Sequence, residues 1–163
     1  MALLDLDPDR LLSTTRAVRK RLDLGRPVAD DLIRECVALA LQAPSGGNEI
    51  VVRFVVVRDR ATIRTVGDIY ARCWAMSENS PRFVGNLPRE GEVLRAQQDR
   101  VTSSARYLAE HMGDCPVLVI GCLQGRLDGR DDRGDLGSVL PAMWSFMLPR
   151  APAASAPPGP PST

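Results

Sequence analysis

Apolar positions recur along the chain at two spacings, and each spacing predicts a different kind of element. In ADDLIRECVALALQA, which begins at Ala29, the residues Ile33, Cys36, Val37, Ala40 and Leu41 share one side of a 3.6-residue period, as in an amphipathic helix. Asp30 and Asp31 fall in its first turn, where carboxylates suit the positive end of the helix dipole. The PSGGN that follows breaks the helix. VVRFVVV (51–57) is β-branched nearly throughout and is bounded by Arg58 and Asp59, the pattern of a buried strand. Helical spacing returns in RATIRTVGDIYARCWAM, with Ile63, Val66, Ile69, Tyr70 and Cys73 on one side.

Residues 77–90, rich in Asn, Pro and Gly, predict a loop. A long helix from about Gly91 to Met112 comes next, and CPVLVIGC predicts a second strand. GRLDGRDDRGD reads as an exposed charged loop, and GSVLPAMWSFML opens a further helix with Val139, Met143 and Phe146 at core spacing. A short helix over 8–15 precedes all of these. Helices separate the strands and no repeat is visible, so the class is α+β or α/β.

Composition narrows the function classes. The chain has 163 residues, 44% hydrophobic and 25% charged, as expected of one globular domain with a sizeable core. The net charge of +1 gives no global field for nucleic acid or an anionic membrane. One lysine, Lys20, stands against twenty arginines, a bias that fits a GC-rich genome. Cys36, Cys73, Cys115 and Cys122 form no CxxC pair, and His111 is the single histidine, so no zinc-ligand spacing and no metal site is expected. Cys36 and Cys122 sit in apolar runs, as buried reduced thiols do, which points to a reducing cytoplasm. MALLDLDPDR carries acids where a signal peptide needs basic residues, and the apolar run 116–120 is too short to span a bilayer.

Three segments are candidates for chemistry. Arg16-Ala-Val-Arg-Lys-Arg21 carries four charges in six residues. It is either a solvated face or a pair of guanidiniums spaced for the oxygens of a phosphate, which arginine bonds in planar, bidentate fashion. A nucleic-acid binder would need more than this one patch, and no stacking aromatics lie nearby. Ala43-Pro-Ser-Gly-Gly-Asn48 is either a helix-stopping turn or a backbone-and-hydroxyl loop that lets a planar ligand approach closely. It is not a Walker loop, for no Gly-Lys-Ser/Thr follows. The third segment, Gly137 to Phe146, has helical core spacing. Tyr70, Trp74 and Tyr107 either pack in the core or line a substrate cavity.

Taken together, Arg-Ala-Val-Arg, then RPV, an amphipathic helix, APSGGN and a strand ending RFVVVRD resemble the nitroreductase family. SARYLAEHMGDCPVLVIGC and GSVLPAMWSFML extend the likeness in the same order, over residues 10–148. The resemblance implies an α+β nitroreductase-like fold, with a central, mostly antiparallel sheet flanked by helices. It also implies an intertwined homodimer whose two FMN sites lie at the subunit interface. Arg16 and Arg19 would meet the ribityl phosphate. Ala17 stands where the family often has Ser, so only its backbone is offered. Pro44, Ser45, Gly46 and Asn48 match the loop that touches the isoalloxazine ring and ribityl chain. Ile50, Val51 and Val52 replace the family's frequent Gln-Pro-Trp, which removes a polar contact near the flavin.

The implied reaction passes hydride from NAD(P)H to FMN, and electrons onward to a nitro compound, quinone or similar small acceptor. Because the cofactor carries that chemistry, no catalytic acid or base is expected of the chain. The expected protein is cytoplasmic, with no nucleic-acid or membrane partner.

The end of the chain departs from the resemblance. From Pro149 onward fifteen residues include six prolines and no large apolar side chain. The family's last helix typically ends in an Arg-Ala-Arg-Gly-Leu-Gly-like segment. One permissible back-translation from Arg150, read two bases later, gives Arg-Ala-Arg-Gly-Leu-Gly-Thr-Ala-Trp. The expectation is an incomplete nitroreductase-like domain over 1–148, a Pro/Ala-rich disordered tail over 149–163, and a one-base insertion or deletion near codons 148–150. A shortened helix would leave Leu136, Val139 and Leu140 short of partners, a loss to set against folding stabilities of about 5–15 kcal/mol. The competing expectation is a catalytically inactive remnant that retains at most dimerisation.

Overall fold

A computed structural model describes residues 7–48, 51–124 and 133–148. The tail over 149–163, most of the charged segment before α5 (125–132) and the side chains of Asn48 and Leu136 lie outside the described residues. Among the described residues, five α-helices and two strands follow in the order α1 (Pro8–Thr14), α2 (Asp30–Ala40), β1 (Val52–Val57), α3 (Arg60–Glu78), α4 (Glu92–His111), β2 (Leu118–Leu123) and α5 (Arg133–Met147). The two strands pair, and the Gln124 amide donates to the Val51 carbonyl at 2.8 Å. That bond joins the start of one strand to the end of the other, so the pair is antiparallel and the class is α+β.

Helix starts follow local chemistry. Asp7 caps α1, its Oδ1 accepting from the Arg10 amide at 2.8 Å, with Pro8 in the first turn. Asp59 caps α3 by accepting from both the Thr62 amide (2.8 Å) and the Thr62 hydroxyl (2.6 Å). These bonds, the hydroxyl's first, hold the Asp59 carboxyl below its ordinary range. α2 has no side-chain cap and relies on Asp30 and Asp31 in its first turn.

The chain divides into two compact units. One comprises the described residues up to Arg16 together with 29–48, 51–54, 121–124 and 133–148. Here α2 packs on α5, with Ile33, Cys36, Ala40, Val52 and Ala142 as the buried apolar residues. Phe54 stacks on Phe146 with ring centroids 5.6 Å apart. Burial, and then the neighbouring Glu35 charge, push the Cys36 thiol up.

The other unit comprises Ala17–Val28 and Val55–Ile120. α3 packs on α4 and on the 3₁₀ turn Met112–Asp114. Gly67 is buried where the backbones of α3 and Gly113 meet. The Arg106 guanidinium grips Glu78 Oε1 through two nitrogens, at 2.9 and 2.7 Å. Arg60 reaches the Cys115 carbonyl at 2.5 Å, which satisfies an acceptor left over at the end of the 3₁₀ turn.

Three expectations need correction. β1 is not a buried strand: Val52 is buried, but Val55 and Val56 are 48% and 41% exposed, because in a two-stranded sheet both strands are edges. The packed stripe of α3 runs through Ile63, Gly67, Tyr70 and Trp74, and Ile69 and Cys73 are exposed. α5 begins at Arg133, one turn before Gly137, so the end of the charged segment is helical. Pro141 therefore sits inside the helix, where its ring opposes the carbonyl of Gly137. On α5 the closely packed residues are Ser138 and Ala142, with Val139, Met143 and Phe146 half-buried beside them.

No helix among the described residues is long and apolar enough to cross a membrane.

Candidate functional site

The turn after α2 is built by successive tightening. The Leu41 amide bonds back to Val37 in α-helical fashion at 2.9 Å, whereas Gln42 and Ala43 reach only Leu39 and Ala40, both at 3.1 Å. Pro44 cannot continue the helix. A 3₁₀ turn over Gly46–Asn48 follows, with Gly47 at φ 63° and ψ 10°. That left-handed conformation is one glycine adopts without steric cost. Among the described residues nothing lies within 4 Å of where a Gly47 Cβ would stand, so toward them this stretch of backbone is open on that side.

The turn is moored at its other side. The Gly46 amide donates to Ser138 Oγ at 3.0 Å, across 92 residues of sequence. Ser138 is only 3% exposed, a polar side chain set among apolar neighbours. Beside it is a cavity of about 20 Å3 lined by Ala40, Leu41, Ala43, Ser45, Val52, Ser138 and Ala142. That is room for about one water. A cavity of that size does not enclose a flavin ring.

Among the residues expected at the site, Pro44, Ser45 and Gly46 are brought together in this one turn, with Pro44 and Gly46 exposed and Ser45 half-buried. The Asn48 backbone closes the same turn. Arg16 belongs to the same unit, directly after α1, and is exposed; its Nη1 donates to the Thr15 carbonyl at 2.7 Å. That bond uses one of the five N–H donors of a guanidinium. Ala17 and Arg19 belong to the other unit, Ala17 exposed and Arg19 half-buried. By donor chemistry, the exposed Arg16 guanidinium and a glycine backbone open toward the described residues are of the kinds that suit the phosphate and the ring of a flavin mononucleotide.

Ser138 is the residue that sequence reading missed. Periodicity in GSVLPAMWSF marks its apolar positions, and the signal is a small polar residue near the start of that helix that is nonetheless buried.

The aromatic candidates pack within their own unit. Trp74 meets Phe83 edge-on at 5.2 Å and Tyr107 lies on His111 at 4.3 Å. A larger groove in that unit, about 290 Å3, is lined by Val84, Arg89, Leu94, Gln97, Gln98 and Val101. Gln98 Nε2 donates to the carbonyls of Val84 and Leu87, the latter at 2.9 Å, and pins the preceding loop to α4.

Comparison with known proteins agrees with these local features. No curated protein matches the chain. The family model described as Nitroreductase family matches residues 12–156, a span that includes the arginine segment, the turn after α2 and all of α5. The chain belongs to the nitroreductase family.

Proposed function

We propose that the protein is an FMN-dependent oxidoreductase that takes hydride from NADH or NADPH and reduces a small nitro compound, quinone or similar acceptor. Membership of the nitroreductase family supports the oxidoreductase class and a flavin. The observation that carries the reading for this chain is the open left-handed glycine in the turn Pro44–Asn48, moored from behind by Ser138.

Bound FMN would supply the hydride and electron transfer itself. The chain's own contribution is binding and positioning. Arg16 and Arg19 would hold the phosphate through charge-assisted, bidentate hydrogen bonds, with the Ala17 backbone between them. Pro44, Ser45, Gly46 and Asn48 would present backbone and short polar groups to the ring and ribityl chain, and Gly47 lets a planar group come close without meeting a Cβ. The site would be completed in a homodimer, as the family resemblance implies.

FMN and riboflavin differ by the phosphate alone, so they test the arginines directly. Purified protein loaded with FMN and freed of excess flavin by gel filtration should stay yellow, with absorbance at ~450 nm, and should bind FMN more tightly than riboflavin. Hydrogen bonds to a charged group contribute about 1.5–3 kcal/mol each, so Arg16→Ala or Arg19→Ala should weaken FMN binding roughly 10- to 150-fold. Riboflavin binding should barely change. Reduced nicotinamide should bleach the bound flavin, and the better of NADH and NADPH identifies the donor. Protein that is colourless after incubation with high FMN and gel filtration refutes the reading and leaves the inactive remnant in its place.

A further inference from the structure

From the bond that ties the turn Pro44–Asn48 to α5, we infer that Ser138 is a positioning residue for flavin binding. The inference rests on the proposed flavin reading and adds to it a residue that touches neither ring nor phosphate.

A turn that presents backbone to a ligand binds well only if it is held in place beforehand, because any ordering left to the moment of binding weakens affinity. This turn has little to hold it locally. Gly46 and Gly47 lack side chains, Gly46 is exposed, and glycine has the widest conformational freedom of any residue. The one side-chain hydrogen bond described for the turn is the Gly46 amide to Ser138 Oγ at 3.0 Å. A Cβ on Gly46 would stand 3.7 Å from the same oxygen, an ordinary contact, so the hydrogen bond rather than steric fit defines the approach.

The anchor end is well suited to the task. Ser138 is buried at 3% exposure, on the side of α5 that packs against α2, and α5 also contacts the turn directly. In an apolar setting, losing the hydroxyl would leave the Gly46 amide with an unmet donor on its part-buried side. Either a water in the adjacent cavity takes over that amide, less firmly than a hydroxyl fixed on α5, or the turn moves. Both outcomes spoil the presentation of Gly46 and Gly47.

The adjacent cavity makes a clean experiment possible. At about 20 Å3 and lined by Ala40, Ala43, Val52 and Ala142 among others, it has space beside Ser138 for one added methyl group. Ser138→Thr and Ser138→Val then differ from each other only in hydroxyl against methyl, with the same shape in the same place. Four proteins should be compared: wild type, Ser138→Ala, Ser138→Val and Ser138→Thr. Two readouts apply to each, the FMN dissociation constant and native-state hydrogen exchange of the Gly46 amide in flavin-free protein. Urea midpoints control for folding.

Ser138→Ala and Ser138→Val should weaken FMN by about tenfold, equivalent to 1.4 kcal/mol, and speed Gly46 exchange. Ser138→Thr should restore both. A purely structural role would instead leave flavin-free Gly46 exchange and FMN affinity following the urea midpoints across all four proteins. If wild type binds FMN and all three variants bind it equally, the inference fails while the flavin reading stands. If wild type binds no flavin, the flavin reading fails and the positioning role fails with it. Equal Gly46 exchange in all four proteins overturns the tie itself, whatever the flavin result.

Discussion

Gly67→Ala is the most exacting test of the packing in the second unit, because two effects of opposite sign compete at one atom. Replacing a helix-interior glycine by alanine ordinarily stabilises by about 0.5–1 kcal/mol, through the reduced freedom of the unfolded chain and better helix propensity. At Gly67, however, the new Cβ would stand 2.5 Å from the Gly113 nitrogen and 2.6 Å from its Cα. Non-bonded carbon contacts are comfortable at roughly 3.5–4.0 Å, so the shortfall is about 1 Å. Both neighbours are backbone, so no rotamer change relieves the clash, and α3 must move away from the Met112–Asp114 turn. Overpacking of this kind costs about 1–3 kcal/mol, and a rigid backbone neighbour puts this case in the upper part of that range. The net expectation is a loss of about 1–2 kcal/mol, or a Tm lower by roughly 2–8 °C for a chain of this size.

Gly137 is the internal control. It also lies inside a helix, but among the described residues nothing stands within 4 Å of its would-be Cβ, and its φ is not left-handed. Gly137→Ala should therefore stabilise by about 0.5–1 kcal/mol. Urea unfolding at constant m-value reads both changes on one scale. Opposite signs for the same substitution support the close approach of α3 to Gly113. A Gly67→Ala protein as stable as wild type, or more so, refutes it.

Two further expectations concern titration and reactivity. The Asp59 carboxyl is held below its ordinary value in the folded chain by Thr62. Its capping contribution is therefore fully present above the unfolded value and is lost as pH falls through the folded one. Wild type should exceed Asp59→Asn in unfolding midpoint at about pH 6, and the gap should close as pH falls below the unfolded value; a gap that stays constant throughout would exclude the carboxylate cap. Cys73 is exposed, whereas Cys36 is buried with its thiol pushed up from 9.0. Iodoacetamide at mildly alkaline pH should label Cys73 and spare Cys36 until the protein unfolds, as peptide mass spectrometry would show; early labelling of Cys36 would contradict the α2–α5 packing. Because a raised thiol pKa favours the protonated folded state, the contribution of Cys36 persists below the unfolded value and is lost as pH climbs through the folded one.

What could be read from the sequence was whatever is encoded over a few neighbouring residues. The long helix expected from about Gly91 to Met112 appears as Glu92–His111, because a 3.6-residue period over twenty positions tolerates little ambiguity. The turn after α2 was equally legible, since Pro and two Gly in succession permit little else. The errors fall where a segment's setting depends on distant chain. A run of β-branched residues predicts a strand correctly but says nothing of how many strands will flank it, and so Val55 and Val56 are exposed. On α3 the apolar residues alone suggested a face through Ile69 and Cys73, and it is a glycine that marks the true contact. Periodicity scores glycine as a neutral gap, yet close backbone packing selects for it. The mooring of the turn to Ser138 follows the same logic. A serine in an apolar helix carries no sign of its partner 92 residues away, because a hydrogen bond leaves no periodic trace. Its only sign in the sequence is negative, a small polar residue where the pattern asks for an apolar one. The family's motifs thus name the segments proposed to approach a flavin, and the residues that hold those segments still are sought where the hydrophobic pattern breaks and the broken position is nonetheless buried. Applied to this chain, that rule selects Ser138, the one buried polar residue among those described.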